Sequence, residues 1–209
     1  HDVPKIEKII FDFGGVFYDI SFERLMNAFK QLQIPEYLGE NRSDNIFITL
    51  EKGNIEEKEF LNTLQLSSPL NPTTDEIKTA FNAILVGMPV ENVRYLRRFI
   101  KNYPCYLLSN TNEIHYKHFH SEIIDNPLTK EFYNSFEKEY YSRLMHLRKP
   151  DKLIYETVIS DSNLNIATTL FVDDMEQNIT AAASLGLQVF HFGQEGRWDE
   201  LIQKFNLHV

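Results

Sequence analysis

The sequence predicts an α/β fold built on a parallel β-sheet, and two observations support this. Short apolar runs alternate with amphipathic helical segments over most of the chain, as is typical of a parallel sheet covered by helices on both faces. One long stretch near the amino terminus breaks the alternation, because it holds helical segments only. We therefore expect a Rossmann-like core with a helical domain inserted after the first strand.

The first strand is expected over residues 6–13, because IEKIIFDF is short, apolar and β-branched, and a glycine pair follows it. Four later runs have a similar character, the last of them more weakly: residues 105–110, 168–174, 188–192 and 136–141. Helical periodicity predicts the helices of the core over residues 90–102, 113–120, 152–159, 176–185 and 198–205.

The insertion holds three amphipathic segments and a shorter helical turn, with no convincing strand: residues 22–32, 55–66, 75–85 and 46–51. The expected domains are therefore a core of residues 1–18 and 90–209 and a helical cap of residues 19–89. Since the cap follows the tip of the first strand directly, we expect it to lie above the carboxyl edge of the sheet as a lid.

Composition limits the classes of partner. The chain of 209 residues has a net charge of −9, which argues against general affinity for nucleic acids or anionic membranes. Its single cysteine excludes an intramolecular disulfide, and no apolar stretch approaches the ~20 residues of a membrane helix. We expect a cytoplasmic protein whose partner is a small molecule, and the sequence leaves its oligomeric state open.

Four short motifs stand out, of which three end apolar, strand-like runs and one opens a predicted helix. They are FDFGGV at residues 11–16, LLSNTN at 107–112, RKPD at 148–151 and LFVDD at 170–174. In an open α/β sheet, ligands bind beyond the carboxyl ends of the strands, so strand tips that are distant in sequence become neighbours. A carboxylate, a hydroxyl with an amide, an ammonium group and an acidic pair would meet there. This set predicts a site that handles phosphate.

In their order and structural places, these motifs and the helical insertion resemble the haloacid dehalogenase-like hydrolase superfamily, over essentially the whole chain. The resemblance implies that Asp12 is the nucleophile. A carboxylate can attack phosphorus and form an acyl phosphate, which divides one difficult displacement into two easier steps. The resemblance also implies that Lys149 holds phosphate against Asp12, and that Ser109 and Asn110 hydrogen-bond the transferring phosphoryl group.

The same resemblance implies a Mg²⁺ site. Mg²⁺ prefers hard oxygen ligands, and two adjacent carboxylates repel each other unless a cation neutralises them. Asp12, Asp174 and the backbone carbonyl of Gly14 are expected to bind the metal, with Asp173 nearby or acting through water. Asn178, one helical turn later, is expected to orient the acidic pair.

The sequence departs from the family's phosphatases at Gly14, where they usually carry a second aspartate that serves as general acid–base. Such catalysis is commonly worth about 10²–10⁴-fold, so its loss matters least when the leaving oxygen leaves easily, as in an anomeric sugar phosphate. The stretches FDFGGVFYDISFERL and FVDDMEQNITAAASLG also look like those of bacterial α-D-glucose-1-phosphate phosphatases. The expected substrate is therefore a small sugar phosphate, and α-D-glucose 1-phosphate is the best match.

Two further residues are candidates for contact with the substrate. Arg24 follows the first-strand loop where the cap begins, so it either faces the sugar phosphate or lies on a solvated helix face. His146 stands three residues before Lys149 and either narrows the pocket or covers its rim.

Two other functions stay open at this point. A phosphate-ligand sensor or partner-binding protein would have lost turnover through Gly14, although the four motifs are otherwise intact. A 2-haloacid dehalogenase is less favoured, because that reaction needs no metal and its enzymes lack an acidic pair such as Asp173 and Asp174.

Overall fold

The computed structural model describes residues 4–35 and 45–209, and a five-stranded parallel sheet lies at its centre. The strands are β1 (Lys8–Phe11), β2 (Asp19–Ile20), β3 (Leu85–Gly87), β4 (Cys105–Ser109), β5 (Lys138–Tyr141), β6 (Thr169–Asp173) and β7 (Gln188–His191). The sheet has the order β5-β4-β1-β6-β7, with every neighbouring pair parallel. The predicted α/β class is therefore confirmed, and the first strand lies in the middle of the sheet.

Helices follow the strands and cover both faces. They are α1 (Phe22–Gln31), α2 (Ile46–Glu51), α3 (Glu57–Ser67), α4 (Thr74–Asn82), α5 (Val90–Phe99), α6 (Glu113–Asp125), α7 (Ser142–Met145), α8 (Lys152–Asp161), α9 (Glu176–Ser184) and α10 (Trp198–Lys204). Helix α6 runs beyond the predicted end at residue 120, because Ile123 continues its buried face and the first proline comes only at Pro127. The four-residue α7 was not predicted from the sequence.

Strand β1 shows why the sheet is buried on both sides. Successive side chains of a strand point to opposite faces. Ile9 and Phe11 join an aromatic cluster that contains Trp198, whereas Ile10 joins a second cluster with Tyr155. Because both faces of the strand are buried, its sequence is a continuous apolar run, and this pattern predicted the strand.

The inserted helices α1 to α4 pack around a hydrophobic cluster of their own. The rings of Phe29 and Phe60 both pack against Phe81, with centroid distances of 6.3 and 5.1 Å. Ile114, on α6 of the core, joins this cluster. The division into a core of residues 1–18 and 90–209 and a cap of residues 19–89 stays a prediction, and residues 36–44 of that cap lie outside the described part.

The expectation that the insertion contains no strand is wrong. Strands β2 and β3 pair antiparallel at its two ends, with Ile20 opposite Leu85. The predicted helix 75–85 ends at Asn82 and leaves room for β3. Strands of two and three residues are too short to show an alternating pattern, so only their pairing reveals them. Within the described residues, no helix has the length and apolar character needed to cross a membrane.

Candidate active site

The carboxyl ends of β1 and β6 bring three aspartates together. Asp12 directly follows β1, and its backbone N–H donates to the carbonyl of Val172 on β6 at 2.9 Å. Asp173 ends β6, and Asp174 follows it. Carboxylate oxygens of Asp12, Asp173 and Asp174 lie within 4.8 Å of one another. The predicted convergence of the first and fourth motifs is therefore present.

Lys149 reaches this cluster from the loop before α8, and its side chain is only 1% exposed. Its Nζ donates to Asp12 Oδ1 at 2.7 Å, to Asp173 Oδ2 at 2.8 Å and to the Leu108 carbonyl at 2.8 Å. Burial by itself would lower the pKa of Lys149, but the carboxylates of Asp12 and Asp173 outweigh it and raise the pKa above its usual range. Lys149 is therefore a fixed positive charge beside Asp12.

Asp173 is fully buried and held by protein groups. Its Oδ2 accepts from Lys149 and from Asn178 Nδ2 at 3.1 Å, and its Oδ1 accepts from the Met175 backbone N–H at 2.9 Å. Asn178 thus contacts Asp173, and its role in orienting the acidic pair stays a prediction. Asp174 is only partly buried, so it is better placed than Asp173 for direct contact with a cation.

The charges of the cluster do not balance. Three carboxylates and the Lys149 ammonium give a formal charge of −2 (three negative, one positive). Burial, followed by repulsion from Asp173, raises the pKa of Asp12 well above its usual range despite Lys149, and burial likewise raises the pKa of Asp174. A divalent cation would balance this charge, and hard oxygen donors of this kind fit Mg²⁺.

Gly15 is a site residue that the sequence analysis did not single out. Its φ of +82° lies in the left-handed region, and a Cβ built on it would overlap the carboxylate of Asp174. Only glycine allows this approach of the first loop to the acidic pair. The glycine pair after β1 was the available signal. By contrast, a Cβ at Gly14 would meet, among the residues that the structure describes, only Ile20, at 3.6 Å.

The second motif lies beside Lys149. Ser109, at the end of β4, is buried, and its direct contact with phosphate stays a prediction. The side-chain amide of Asn110 forms two bonds to the backbone of Lys149, accepting from its N–H and donating to its carbonyl, both at 2.9 Å. Asn110 therefore positions Lys149, and its direct contact with phosphate stays a prediction.

The two candidate residues near the cap have different surroundings. Arg24 lies exposed in the first turn of α1, and its contact with substrate stays a prediction. His146 has a left-handed backbone, and its Nδ1 lies 2.9 Å from the Lys52 carbonyl and 3.1 Å from Asn54 Oδ1. His146 therefore joins the core to the turn after α2, which fits the interpretation as a rim residue.

Curated relatives match this chain over most of its length, and two phosphatases are among them. The D-ribitol-5-phosphate phosphatase of Bacteroides thetaiotaomicron is 31% identical over 201 residues, which cover 92% of this chain and 95% of that protein. A sesquiterpene phosphatase of Aspergillus oryzae is 28% identical over 193 residues, which cover 87% of each chain.

A solved structure and a family model agree with these relatives. A haloacid dehalogenase family enzyme from Bacteroides thetaiotaomicron, solved in complex with magnesium and inorganic phosphate, is 31% identical with a TM-score of 0.85. The match covers 94% of this chain and 98% of that one. The family model for haloacid dehalogenase-like hydrolases matches residues 6–186. This chain is therefore a member of the haloacid dehalogenase-like hydrolase family.

Proposed function

We propose that this protein is a Mg²⁺-dependent phosphatase that hydrolyses a small sugar or sugar-alcohol phosphate through a phosphoaspartate on Asp12. The observation that supports it best is the pairing of Asp12 with the buried Lys149 inside an acidic cluster whose charge calls for a divalent cation. The phosphatases among the relatives, and the related structure that contains magnesium and phosphate, support the same chemistry.

The reaction has two displacement steps at phosphorus. A carboxylate oxygen of Asp12 attacks phosphorus while the bond to the leaving oxygen breaks, and that oxygen takes up a proton. Water then attacks the phosphoaspartate, the bond to Asp12 breaks, and inorganic phosphate is released. Phosphoryl transfer depends mainly on such positioning and on charge stabilisation.

Several groups around Asp12 stabilise the phosphoryl group in this scheme. Lys149 offsets the repulsion between the Asp12 carboxylate and the phosphoryl oxygens, and the Ser109 hydroxyl donates to one of those oxygens. The N-terminus of α6, which begins at Glu113, adds backbone N–H donors at its positive end. Magnesium bound by Asp12, Asp174 and the Gly14 carbonyl would neutralise charge and orient the phosphate group.

The substrate is the finer part of this proposal. The leaving-group argument from Gly14 favours an anomeric phosphate such as α-D-glucose 1-phosphate. The relative named for D-ribitol 5-phosphate acts on the phosphate of a primary alcohol, which is a poorer leaving group. The sesquiterpene phosphatase shows that relatives of similar identity are named for very different leaving groups. A comparison of anomeric and primary phosphates therefore decides the substrate class.

A panel of phosphate esters, assayed for inorganic phosphate release with Mg²⁺ and with EDTA, tests the proposal. We expect metal-dependent release, which Asp12→Asn abolishes and Asp174→Ala nearly abolishes. Glu156→Gln, which changes an exposed carboxylate on α8 in the same way, serves as the control and should retain the wild-type rate. Saturable binding of sugar phosphates without release above background would instead favour the sensor, and halide release from 2-haloacids the dehalogenase.

A further inference from the structure

The proposed reaction needs a proton donor and acceptor that the first loop does not provide. Gly14 has no side chain, and Asp173 is held by Lys149, Asn178 and a backbone N–H. Asp12 is the nucleophile in the scheme above. Asp174 is assigned to the metal, so a carboxyl group for proton transfer has to come from an element outside the first and fourth motifs.

Glu51, the last residue of α2, is brought to this place by its backbone. Its carbonyl accepts from the Ser142 hydroxyl at 2.7 Å, and Ser142 also accepts from the Thr111 N–H at 3.0 Å. Two residues later, Gly53 adopts a φ of +70°, where a Cβ would overlap the carbonyl of Arg143. The turn after α2 therefore packs against α7, which lies in the chain between the second and third motifs.

The Glu51 side chain lies close to Arg148, the first residue of the third motif. Its Oε2 lies 3.6 Å from Arg148 Nη2, longer than a well-formed hydrogen bond. The two side chains are only 21% and 19% exposed, and Arg148 Nε is buried without a hydrogen-bond partner in the described part of the chain. The two side chains are thus close to each other without a short hydrogen bond between them. Arg148 directly precedes Lys149, which bonds Asp12.

The charges around Glu51 suit a proton carrier. Burial raises the pKa of Glu51, while Arg148, Lys149 and Lys52 lower it by less, so the net effect is a pKa raised from its ordinary value. Lys52 also faces Asp151, at 4.0 Å. A carboxyl whose pKa is raised toward the working pH can exist in both protonation states, as general acid–base catalysis requires.

We propose that Glu51 provides, from the cap, the general acid–base group that is missing at Gly14; the inference rests on the proposed phosphatase function. An in-line displacement places the leaving oxygen on the far side of phosphorus from Asp12, where a cap residue can reach it. The Glu51 carboxyl gives its proton to that oxygen as the phosphorus–oxygen bond breaks. The resulting carboxylate then takes a proton from the water that attacks phosphorus and releases Asp12.

The test compares Glu51→Gln with Glu59→Gln, an exposed carboxylate on α3, on two substrates. D-ribitol 5-phosphate needs a protonated leaving oxygen, whereas p-nitrophenyl phosphate releases a stable phenolate. For Glu51→Gln we expect kcat/KM to fall about 10²-fold or more on the first substrate and less than about tenfold on the second. Glu59→Gln should match the wild type on both.

Two further measurements separate proton transfer from packing of the cap. The wild-type kcat/KM for D-ribitol 5-phosphate should decrease at high pH, where Glu51 loses its proton, and Glu51→Gln should lack this decrease. Adding Gly14→Asp to Glu51→Gln should restore activity, because a side chain at residue 14 has room. If Glu51→Gln does not fold, Glu51→Asp replaces it, and its rates should depend more steeply on the pKa of the leaving group.

Equal losses on both substrates, or a loss below about fivefold on D-ribitol 5-phosphate, would refute the assignment of Glu51. Those results leave the phosphatase proposal intact as long as the wild type releases phosphate and Asp12→Asn does not. A wild type that releases no phosphate from any ester would refute the phosphatase proposal itself.

Discussion

The acidic cluster of the core and the turn of the cap after α2 hold their charged groups in different ways. In the core, Lys149 Nζ makes three hydrogen bonds of 2.7–2.8 Å, and its two carboxylate partners are buried. In the cap, Glu51 is fixed through its backbone, while its side chain lies 3.6 Å from Arg148. The core site is thus rigidly positioned, whereas the Glu51 side chain has freedom to turn toward a substrate.

This difference separates two tasks. Groups that stabilise charge at phosphorus must be positioned before the substrate arrives, because electrostatic stabilisation depends on preorganised groups. A group that donates a proton to the leaving oxygen must take a position that depends on the substrate. Changes in the core cluster should therefore affect every substrate and the stability of the fold, whereas changes in the cap turn should affect substrates unequally.

The largest effect is expected for Lys149→Met. Removing one partner of a buried ion pair leaves uncompensated carboxylates and typically costs about 3–5 kcal/mol. We expect the free energy of unfolding in EDTA to fall by about that amount, and activity on every substrate to fall about 10³-fold or more. Chemical denaturation and phosphate release measure the two effects.

Lys138→Met is the matched control for this change. Lys138 pairs with Asp161 at the surface, and exposed ion pairs contribute little to stability. We therefore expect only a minor change in stability and none in activity. A Lys149→Met protein as stable as the Lys138→Met protein would show that the buried bonds do not hold the core cluster.

The next effect is expected for Gly15→Ala. Its Cβ would overlap the Asp174 carboxylate, so the acidic pair must move. Gly193→Ala is the control, because Gly193 has a similar φ of +93° but no atom of the described part of the chain within 4 Å of its Cβ position. Both variants should lose about 1–2 kcal/mol of stability from backbone strain. Only Gly15→Ala should lose activity, by about 10²-fold, and equal activities would refute this role of Gly15.

The comparison of the two regions also shows what the sequence can predict. The strands of the sheet could be predicted because their burial on both faces gives continuous apolar runs, and the motifs at their ends then indicate where the site lies. The role of Lys149, in the loop before α8, is implied by the family resemblance of its motif, whereas Asp12, Asp173 and Asp174 follow directly from the placement at strand ends. This part of the prediction needs strand positions only.

The remaining features depend on the packing of loops, which no local pattern encodes. Gly15 is required because a distant carboxylate comes to lie against it. The Asn110 amide bonds the backbone of Lys149, a residue on another loop. Glu51 meets Arg148 only because the turn of the cap packs against α7. Each of these contacts joins segments far apart in sequence, so only the coordinates reveal it.

Asn110→Ala should have an intermediate effect, because it removes both side-chain bonds to the Lys149 backbone. A small displacement of a positioned catalytic group can cost up to about 10²-fold, so we expect a tenfold to about 100-fold loss of kcat/KM on every substrate. Asn134→Ala, which removes a surface bond to Glu131, should retain full activity. Losses that differ strongly between substrates would instead assign Asn110 to the leaving group.

The smallest effect on catalysis is expected for His115→Gln, at the contact between α6 and the cap. His115 Nε2 lies 3.1 Å from the Phe81 carbonyl, and burial lowers the pKa of His115 to about 4. Between about pH 6.5 and pH 4 the unfolded chain therefore binds more protons than the folded protein, so the stability contributed by neutral His115 falls as the pH falls.

We expect this linkage to remove about 2 kcal/mol of wild-type stability between about pH 7 and pH 5. His115→Gln should lose less stability over the same interval, since glutamine does not titrate. The exposed His118 on the same helix gives the control, and His118→Gln should behave like the wild type. Urea unfolding at the two pH values measures the difference. A wild-type pH dependence that survives unchanged in His115→Gln would refute this linkage, because groups other than His115 would then cause it.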